Sequence, residues 1–348
     1  MSLLHGVGDF FAIDIGTSAI RMVQLKGDAK NGWDLLKFAY IPADPKILAD
    51  DSETGQKKKG ELIANAVRQA GITTKNVAIG MSSSQTFTTV IEVPNAPAKE
   101  LEQTVTYELD QYIPMPIDEA QVDYMILGVS PNDPAKAEVL ISSTATATAE
   151  RSLEMVESQG LNVIAQEPEP IAMARSLTPM NITDARMVVD LGETSTDLVV
   201  VYHGTPRLVR SIPGGMQLFS KTLANNLQIE PAQARQFILK FGLAQDKLDG
   251  KVYQELESTL EIFASELMKS VRFFQGKYTN VPLGGIILSG FAGMIPFIDA
   301  YIQMRTNIAT VQGNPWQYVR VTPEQQQLLI NVASEFAVVI GLAERSND

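Results

Sequence analysis

Cysteine is absent from the 348 residues, which excludes disulfides, thiolate zinc sites and thiol nucleophiles outright. Histidine is nearly absent: His5 and His203 are the only two. His203 follows an apolar run in Tyr202-His-Gly204-Thr, where a turn is expected, and this argues against a Ser-His-Asp centre. Positive charge is scarce as well. Lys and Arg number 28 against 40 Asp and Glu, a net charge of −12, and such an acidic balance argues against a nucleic-acid partner. The one basic run, Lys57-Lys-Lys59, lies in the polar stretch 50–60 and reads as a solvated loop. Long hydrophobic runs are missing too. The most apolar window, Val281–Ile302, is interrupted by Ser289, Pro296 and Asp299, which suits a buried strand, loop and helix rather than a membrane span. Met1–Asp9 has neither the basic start nor the sustained apolar core of a secretory signal, in agreement with a cytoplasmic protein.

What is present is a hydrophobic content of 45%, enough for two substantial cores, and a motif that occurs twice. The first copy is Phe11-Ala-Ile-Asp14-Ile-Gly16-Thr17-Ser18-Ala-Ile-Arg21-Met-Val-Gln-Leu25. The second is Arg186-Met-Val-Val-Asp190-Leu-Gly192-Glu193-Thr194-Ser195-Thr-Asp197-Leu-Val-Val-Val-Tyr202, and its carboxylate follows the first by 190 − 14 = 176 residues. Each copy is an apolar run ending in a carboxylate, a turn of small residues, and a second β-branched run: a hairpin between two strands. Glycine permits close backbone approach, and the amides and hydroxyls of such a turn can point at an anion.

Together the copies resemble the phosphate-1 and phosphate-2 motifs of the actin-like ATPase superfamily. That resemblance implies an α/β, two-lobed actin-like fold that binds ATP and Mg2+. It assigns the phosphates to Gly16, Thr17 and Ser18 and to Gly192, Glu193, Thr194 and Ser195, with Asp14 and Asp190 holding the metal through water. Further motifs extend it. Glu167-Pro168-Glu169-Pro170 resembles the start of the connect-1 helix, with Glu169 as the carboxylate that orients water and Glu167 as the fallback. Pro213-Gly214-Gly215 turns into a helix and would offer backbone amides to a phosphate. Glu266, Lys269 and Ser270 match positions that contact the nucleoside. Leu283–Pro296 resembles the adenosine motif, with Gly290, Ala292 and Gly293 against the base, although Ser289 stands where the pattern has glycine and Met294 is bulky. Asn331–Ala343 resembles connect-2, the helix returning to the first lobe.

Along the chain, 10–15, 20–25 and 33–40 read as successive strands, followed by a loop over 42–60 and a helix over 61–70. Residues 77–166 form an inserted small α+β subdomain, in which a helix after Pro97 carries Leu101, Val105, Leu109 and Tyr112 on one packed face. The expected domains are a first-lobe core (1–76, with 167–185 and 324–348) and the insertion (77–166). A second-lobe core (186–214 and 278–323) carries a helical subdomain (215–277).

Within the insertion, Tyr107-Glu-Leu-Asp-Gln-Tyr112-Ile-Pro114-Met-Pro116-Ile-Asp118-Glu-Ala-Gln-Val-Asp123-Tyr124 resembles a segment of the PilM family of type IV pilus assembly proteins, a helix running into a Tyr-Ile-Pro-x-Pro turn. The resemblance extends over nearly the whole chain. It implies an ATP-binding scaffold, peripheral to the inner membrane, that docks the short cytoplasmic tail of the membrane protein PilN. It also leaves room for pilus motor ATPases and self-association. Such a tail asks for an apolar floor and an acidic rim, which Tyr112, Ile113 and Met115 and Asp118, Glu119 and Asp123 supply; the plainer reading makes Tyr112 and Ile113 core. A small-molecule kinase of the same superfamily and an FtsA-like polymerising protein are the alternatives. The former lacks an identifiable acceptor pocket. For the latter, Glu344-Arg-Ser-Asn-Asp348 leaves no room for a membrane-binding amphipathic helix.

Overall fold

The computed structural model describes residues 8–345. His5, most of Met1–Asp9 and the last three residues of the polar tail lie outside them. In chain order the strands and helices are β1 (Phe10–Ile15), β2 (Ala19–Asp28), β3 (Gly32–Pro42), α1 (Pro45–Leu48), α2 (Glu53–Ala70), β4 (Asn76–Met81), β5 (Thr86–Pro94), α3 (Ala98–Tyr112), β6 (Ala120–Val129), β7 (Lys136–Ala145), α4 (Thr146–Glu157), β8 (Asn162–Pro168) and α5 (Glu169–Leu177). There follow β9 (Ala185–Leu191), β10 (Ser195–Tyr202), β11 (Thr205–Pro213), α6 (Met216–Leu227), α7 (Pro231–Phe241), α8 (Lys251–Lys277), β12 (Leu283–Gly290), α9 (Ile298–Thr306), β13 (Thr310–Gln312), β14 (Val319–Arg320), α10 (Pro323–Leu329) and α11 (Ala337–Ala343). They divide into two compact units. One takes the chain up to 129, 135–177 and the chain from 315; the other takes 130–134 and 178–314.

The first unit is built on a six-stranded sheet ordered β14-β3-β2-β1-β4-β8. Alternation along β1 and β2 sends Phe11, Ile13, Ile20 and Met22 to one face, where Ile63 and Ala66 of α2 and Met155 and Val156 of α4 cover them. Ala12 and Val23 point the other way, toward Ala172 of α5 and Val339, Ile340 and Leu342 of α11. Helix α2 starts earlier than its periodicity suggests, because the Ser52 side chain accepts from the Gly55 amide and caps it. The basic run is therefore helical, and Lys59 is buried, donating to Asp51 and the Leu48 carbonyl; it is not a solvated loop. The connect-2 segment is also not one helix. A 3-10 turn over Ala333–Phe336 precedes α11, which places the Phe336 ring in the core. A second sheet, β5-β7-β6, stands in the same unit. Its Ile91, Val93, Val139 and Ile141 pack against Leu101, Val105 and Leu109 of α3.

The second unit has a five-stranded sheet ordered β11-β10-β9-β12-β13. The hairpin β9–β10 is antiparallel, whereas β12 runs parallel to both β9 and β13. Met187, Val189 and Leu191 alternate onto one face with Leu198 and Val200 and meet Phe219 and Leu223 of α6, Ile238 of α7 and Leu260 and Leu267 of α8.

Candidate functional site

In the first unit, Asp14 lies next to last in β1, opposite Arg21 of β2. The turn between them closes with the Gly16 amide donating to the Ala19 carbonyl at 3.1 Å, leaving the Thr17 and Ser18 amides without an acceptor among the described residues. Arg21 lies under this turn: a Cβ on Gly16 would stand 2.7 Å from its Nη1. That Nη1 donates to Asp14 Oδ2 at 3.1 Å, and Nη2 donates to Glu335 in the 3-10 turn before α11. The Tyr40 hydroxyl also donates to Glu335, and the guanidinium carbon lies 5.6 Å from the centre of the Tyr40 ring. Burial pushes the Asp14 carboxyl up, against the pull of Arg21 beside it. Burial opposes the charge on Arg21 too, but Asp14 and Glu335 outweigh it and hold the guanidinium protonated.

The second unit repeats the turn with different partners. The Gly192 amide donates to the Ser195 carbonyl at 2.9 Å, and the Glu193 and Thr194 amides meet no acceptor among the described residues. Gly215 packs against the turn so closely that a Cβ would lie 2.5 Å from the Gly192 carbonyl oxygen. The expected amides after Pro213 are mostly occupied there. Gly214 donates to Thr194, Met216 to Gly192 and Gln217 to Glu193, so the first turn of α6 braces the hairpin rather than lying open. Glu193 is held by Arg235 of α7, whose Nη1 lies 2.8 Å from each carboxylate oxygen.

Asp190 is half-buried and faces Asp197 across β9–β10 and Ser289 across β9–β12, so three oxygen-bearing side chains share one row. Gly290 ends β12, and Ala292 and Gly293 lie in the 3-10 turn that follows, Ala292 fully buried. On α8, Glu266 accepts from Lys269 at 2.5 Å and from Arg210 of β11 at 3.3 Å, while Arg210 also donates to Ser270. The Lys269 bond, ahead of the nearby positive charges, holds the Glu266 carboxyl below its ordinary value. Glu169 opens α5, its Cγ 3.1 Å from where a Gly80 Cβ would be. Glu167 is engaged elsewhere, accepting from both terminal nitrogens of Arg175 and lying 3.2 Å from Arg345. Among the described residues no three carboxylates or histidines converge as a ready-made metal cage.

Arg21, Glu335, Arg235 and Asp197 lie outside the set of residues that the sequence motifs single out. Two of them do carry a signal. Arg21 and Asp197 each stand seven residues after the motif's carboxylate (21 − 14 and 197 − 190) and are in register with it, so one copy pairs Asp with Arg and the other Asp with Asp. Glu335 and Arg235 reach their turns only through tertiary packing.

At the surface expected to hold a partner, Tyr112, Asp118, Glu119 and Asp123 are exposed and Met115 is half-buried. Ile113 is not on it: at 7% exposure it belongs to the core under α3, where helical spacing from Leu109 puts it. Tyr107, which opens the same segment, is 84% exposed on α3.

Two sheet-and-helix units, each with a strand–carboxylate–turn–strand hairpin, define the actin-like ATPase fold. The chain superposes on MreB5 of Spiroplasma citri bound to ADP, with TM-score 0.54 and 12% identity over 96% of this chain and 95% of that one. It superposes on the ethanolamine utilization protein EutJ from Carboxydothermus hydrogenoformans with TM-score 0.58 and 14% identity, over 97% and 89%. A structure described as a PilM-PilN type IV pilus biogenesis complex gives TM-score 0.81 and 23% identity, over 98% and 99%. The family model of type IV pilus assembly protein PilM matches residues 12–347, and the chain belongs to that family.

Proposed function

We propose that this chain is a nucleotide-binding cytoplasmic scaffold of the type IV pilus assembly platform, docking on the tail of a PilN-like inner-membrane protein. One observation carries the nucleotide reading: each unit presents a hairpin turn in which two successive amides, Thr17–Ser18 in one and Glu193–Thr194 in the other, meet no acceptor among the described residues. Successive unpaired amides in a tight turn form an anion-binding concavity. The residues also fit magnesium. Asp190, Asp197 and Ser289 stand in register on three adjacent strands, and two carboxyls in one row are the oxygen ligands that a hydrated divalent ion takes. Bound there, the ion would neutralise polyphosphate charge, with Asp14 as the other expected ligand through water.

In this reading Asp190 would orient the ion, each turn would offer its amides to phosphate oxygens, and Glu169 would position water; Glu167 is already tied to two arginines. No strong base stands among these groups, so turnover below about 1 s⁻¹ is expected and nucleotide acts by favouring one conformation. The docking surface is the exposed strip Tyr112, Met115, Asp118, Glu119 and Asp123, and among the described residues no single helix is long and apolar enough to cross a membrane. Calorimetric titration with Mg-ATP tests the first half: binding by the wild type, weakened in Asp190→Asn, is expected. No heat of binding in the wild type would remove the nucleotide reading.

A further inference from the structure

Arg235 projects from α7 to the turn of the second hairpin, and its surroundings are unusual for a structural ion pair. Nη1 alone takes both oxygens of Glu193, at 2.8 Å each, which is not the two-nitrogen fork that an arginine makes with a carboxylate when it serves only to pair. Nε and Nη2 make no hydrogen bond among the described residues. The guanidinium carbon lies 4.5 Å above the ring of Phe291, which is itself buried in the glycine loop after β12. The cation is therefore fixed by a carboxylate of the phosphate-2 turn and by an aromatic floor from the adenosine loop. Its side chain is 31% exposed, so the cation is not sealed inside the unit.

Resting on the nucleotide reading above, we propose that Arg235 is a phosphate-contacting residue, its free Nε–Nη2 edge receiving oxygens of the nucleotide's polyphosphate. The two elements that fix the guanidinium are the same two that the nucleotide reading places against the ligand. An arginine held in a rigid orientation with several donors unused is pre-organised to take two oxygens of a phosphate group, and less rotamer entropy is lost when it binds. Glu193 then acts as an internal competitor. It keeps the guanidinium in place before the ligand arrives, and its negative charge works against the phosphate that comes to the other edge.

This competition separates a ligand contact from a brace between α7 and the turn. If the pair were only a brace, removing either partner would break the same contact and move nucleotide affinity the same way. If Arg235 takes phosphate, the two substitutions act oppositely. The experiment is calorimetric titration of ATP into the full-length wild type, Arg235→Gln, Arg235→Lys and Glu193→Gln, with thermal melting of each alone. Arg235→Gln is expected to weaken binding at least tenfold and Arg235→Lys to recover part of the loss. Glu193→Gln, which keeps the backbone amide of the turn and removes only the competing charge, is expected to tighten binding severalfold. Unchanged affinity in Arg235→Gln, or a loss in Glu193→Gln equal to that in Arg235→Gln, overturns the inference. Should Arg235→Gln fail to fold, Glu193→Gln decides: tighter binding supports the contact, and unchanged or weaker binding overturns it. A wild type that binds no ATP overturns the nucleotide reading together with this inference, whereas binding that ignores Arg235 overturns this inference alone.

Discussion

Asp190 and Asp197 stand directly opposite each other on the antiparallel strands β9 and β10, at the register position where the other hairpin pairs Asp14 with Arg21. The duplicated motif therefore carries opposite electrostatics in its two copies. One carboxylate is already joined to a buried guanidinium, while the other has a second carboxylate as its cross-strand neighbour. Replacing either Asp190 or Asp197 by Asn is expected to cost Mg-ATP binding on the order of 1–3 kcal/mol, the range for losing a charged partner. The double variant should lose less than the sum, since neighbouring ligands of one ion do not act independently. Titrations with and without magnesium check this; equal affinities in wild type and Asp197→Asn would separate Asp197 from the metal.

Helix α11 crosses α5 with the two backbones in close approach at Gly341. A Cβ on Gly341 would stand 1.8 Å from the Ala172 carbonyl oxygen, and the Ser176 hydroxyl donates to the Ala337 carbonyl at 2.7 Å along the same contact. Backbone cannot yield as a flexible side chain does, so Gly341→Ala must push the helices apart. Overpacking of this kind costs about 3 kcal/mol or more. The urea midpoint should fall accordingly, and a midpoint equal to wild type would show that the crossing yields without strain.

Glu344, at the end of α11, gives a pH dependence of unusual sign for a carboxylate. Burial pushes its pKa from 4.5 up to about 8, against the pull of Arg175, whose guanidinium is taken up by Glu167. Below pH 4.5 the group is protonated in folded and unfolded chains and has no effect. Between about pH 4.5 and 8 the unfolded chain releases this proton while the folded chain keeps it, so stability falls as pH rises. The slope is about 1.4 kcal/mol per pH unit at most, levelling off above pH 8. Glu344→Gln should remove that slope, matching the wild type near pH 4 and exceeding it at pH 7.5. Parallel stability–pH curves for the two proteins would exclude Glu344 as the source.

Much of the fold is legible along the chain because it is written in local pattern. The hairpin 186–202 announces itself through alternating β-branched residues around a glycine turn, and the strands fall at 185–191 and 195–202. What is not legible depends on partners remote in sequence. The Lys57–Lys59 run looks solvated until Asp51 folds back onto Lys59 and the Ser52 cap lengthens α2. The segment 331–343 has helical composition throughout, yet the 3-10 turn at Ala333–Phe336 interrupts it where Glu335 meets Arg21 and Phe336 enters the core. Arg235 carries no motif at all; only the packing of α7 brings it to Glu193.

The exposed strip after α3 yields the last prediction. Asp118, Glu119 and Asp123 are exposed, Tyr112 is 37% exposed and Tyr107 84%, so the strip combines aromatic surface with clustered negative charge. A short, apolar and partly basic tail that becomes ordered on binding suits it. Ordering lowers affinity, so a Kd around micromolar, roughly −8 kcal/mol, is expected. Because the carboxylates are exposed, their contribution is screened, and affinity should fall as salt is raised. Asp118→Ala/Glu119→Ala should weaken a PilN-tail peptide severalfold at low salt and flatten the salt dependence. Tyr107→Ala should weaken it without changing that dependence. Ile113 lies in the core, so Ile113→Ala is expected to lower stability first, by about 2–5 kcal/mol, and its binding data would report unfolding rather than contact. Fluorescence titration of the peptide at low and high salt reads all of these. Binding that is indifferent both to salt and to the double substitution would move the partner to another surface.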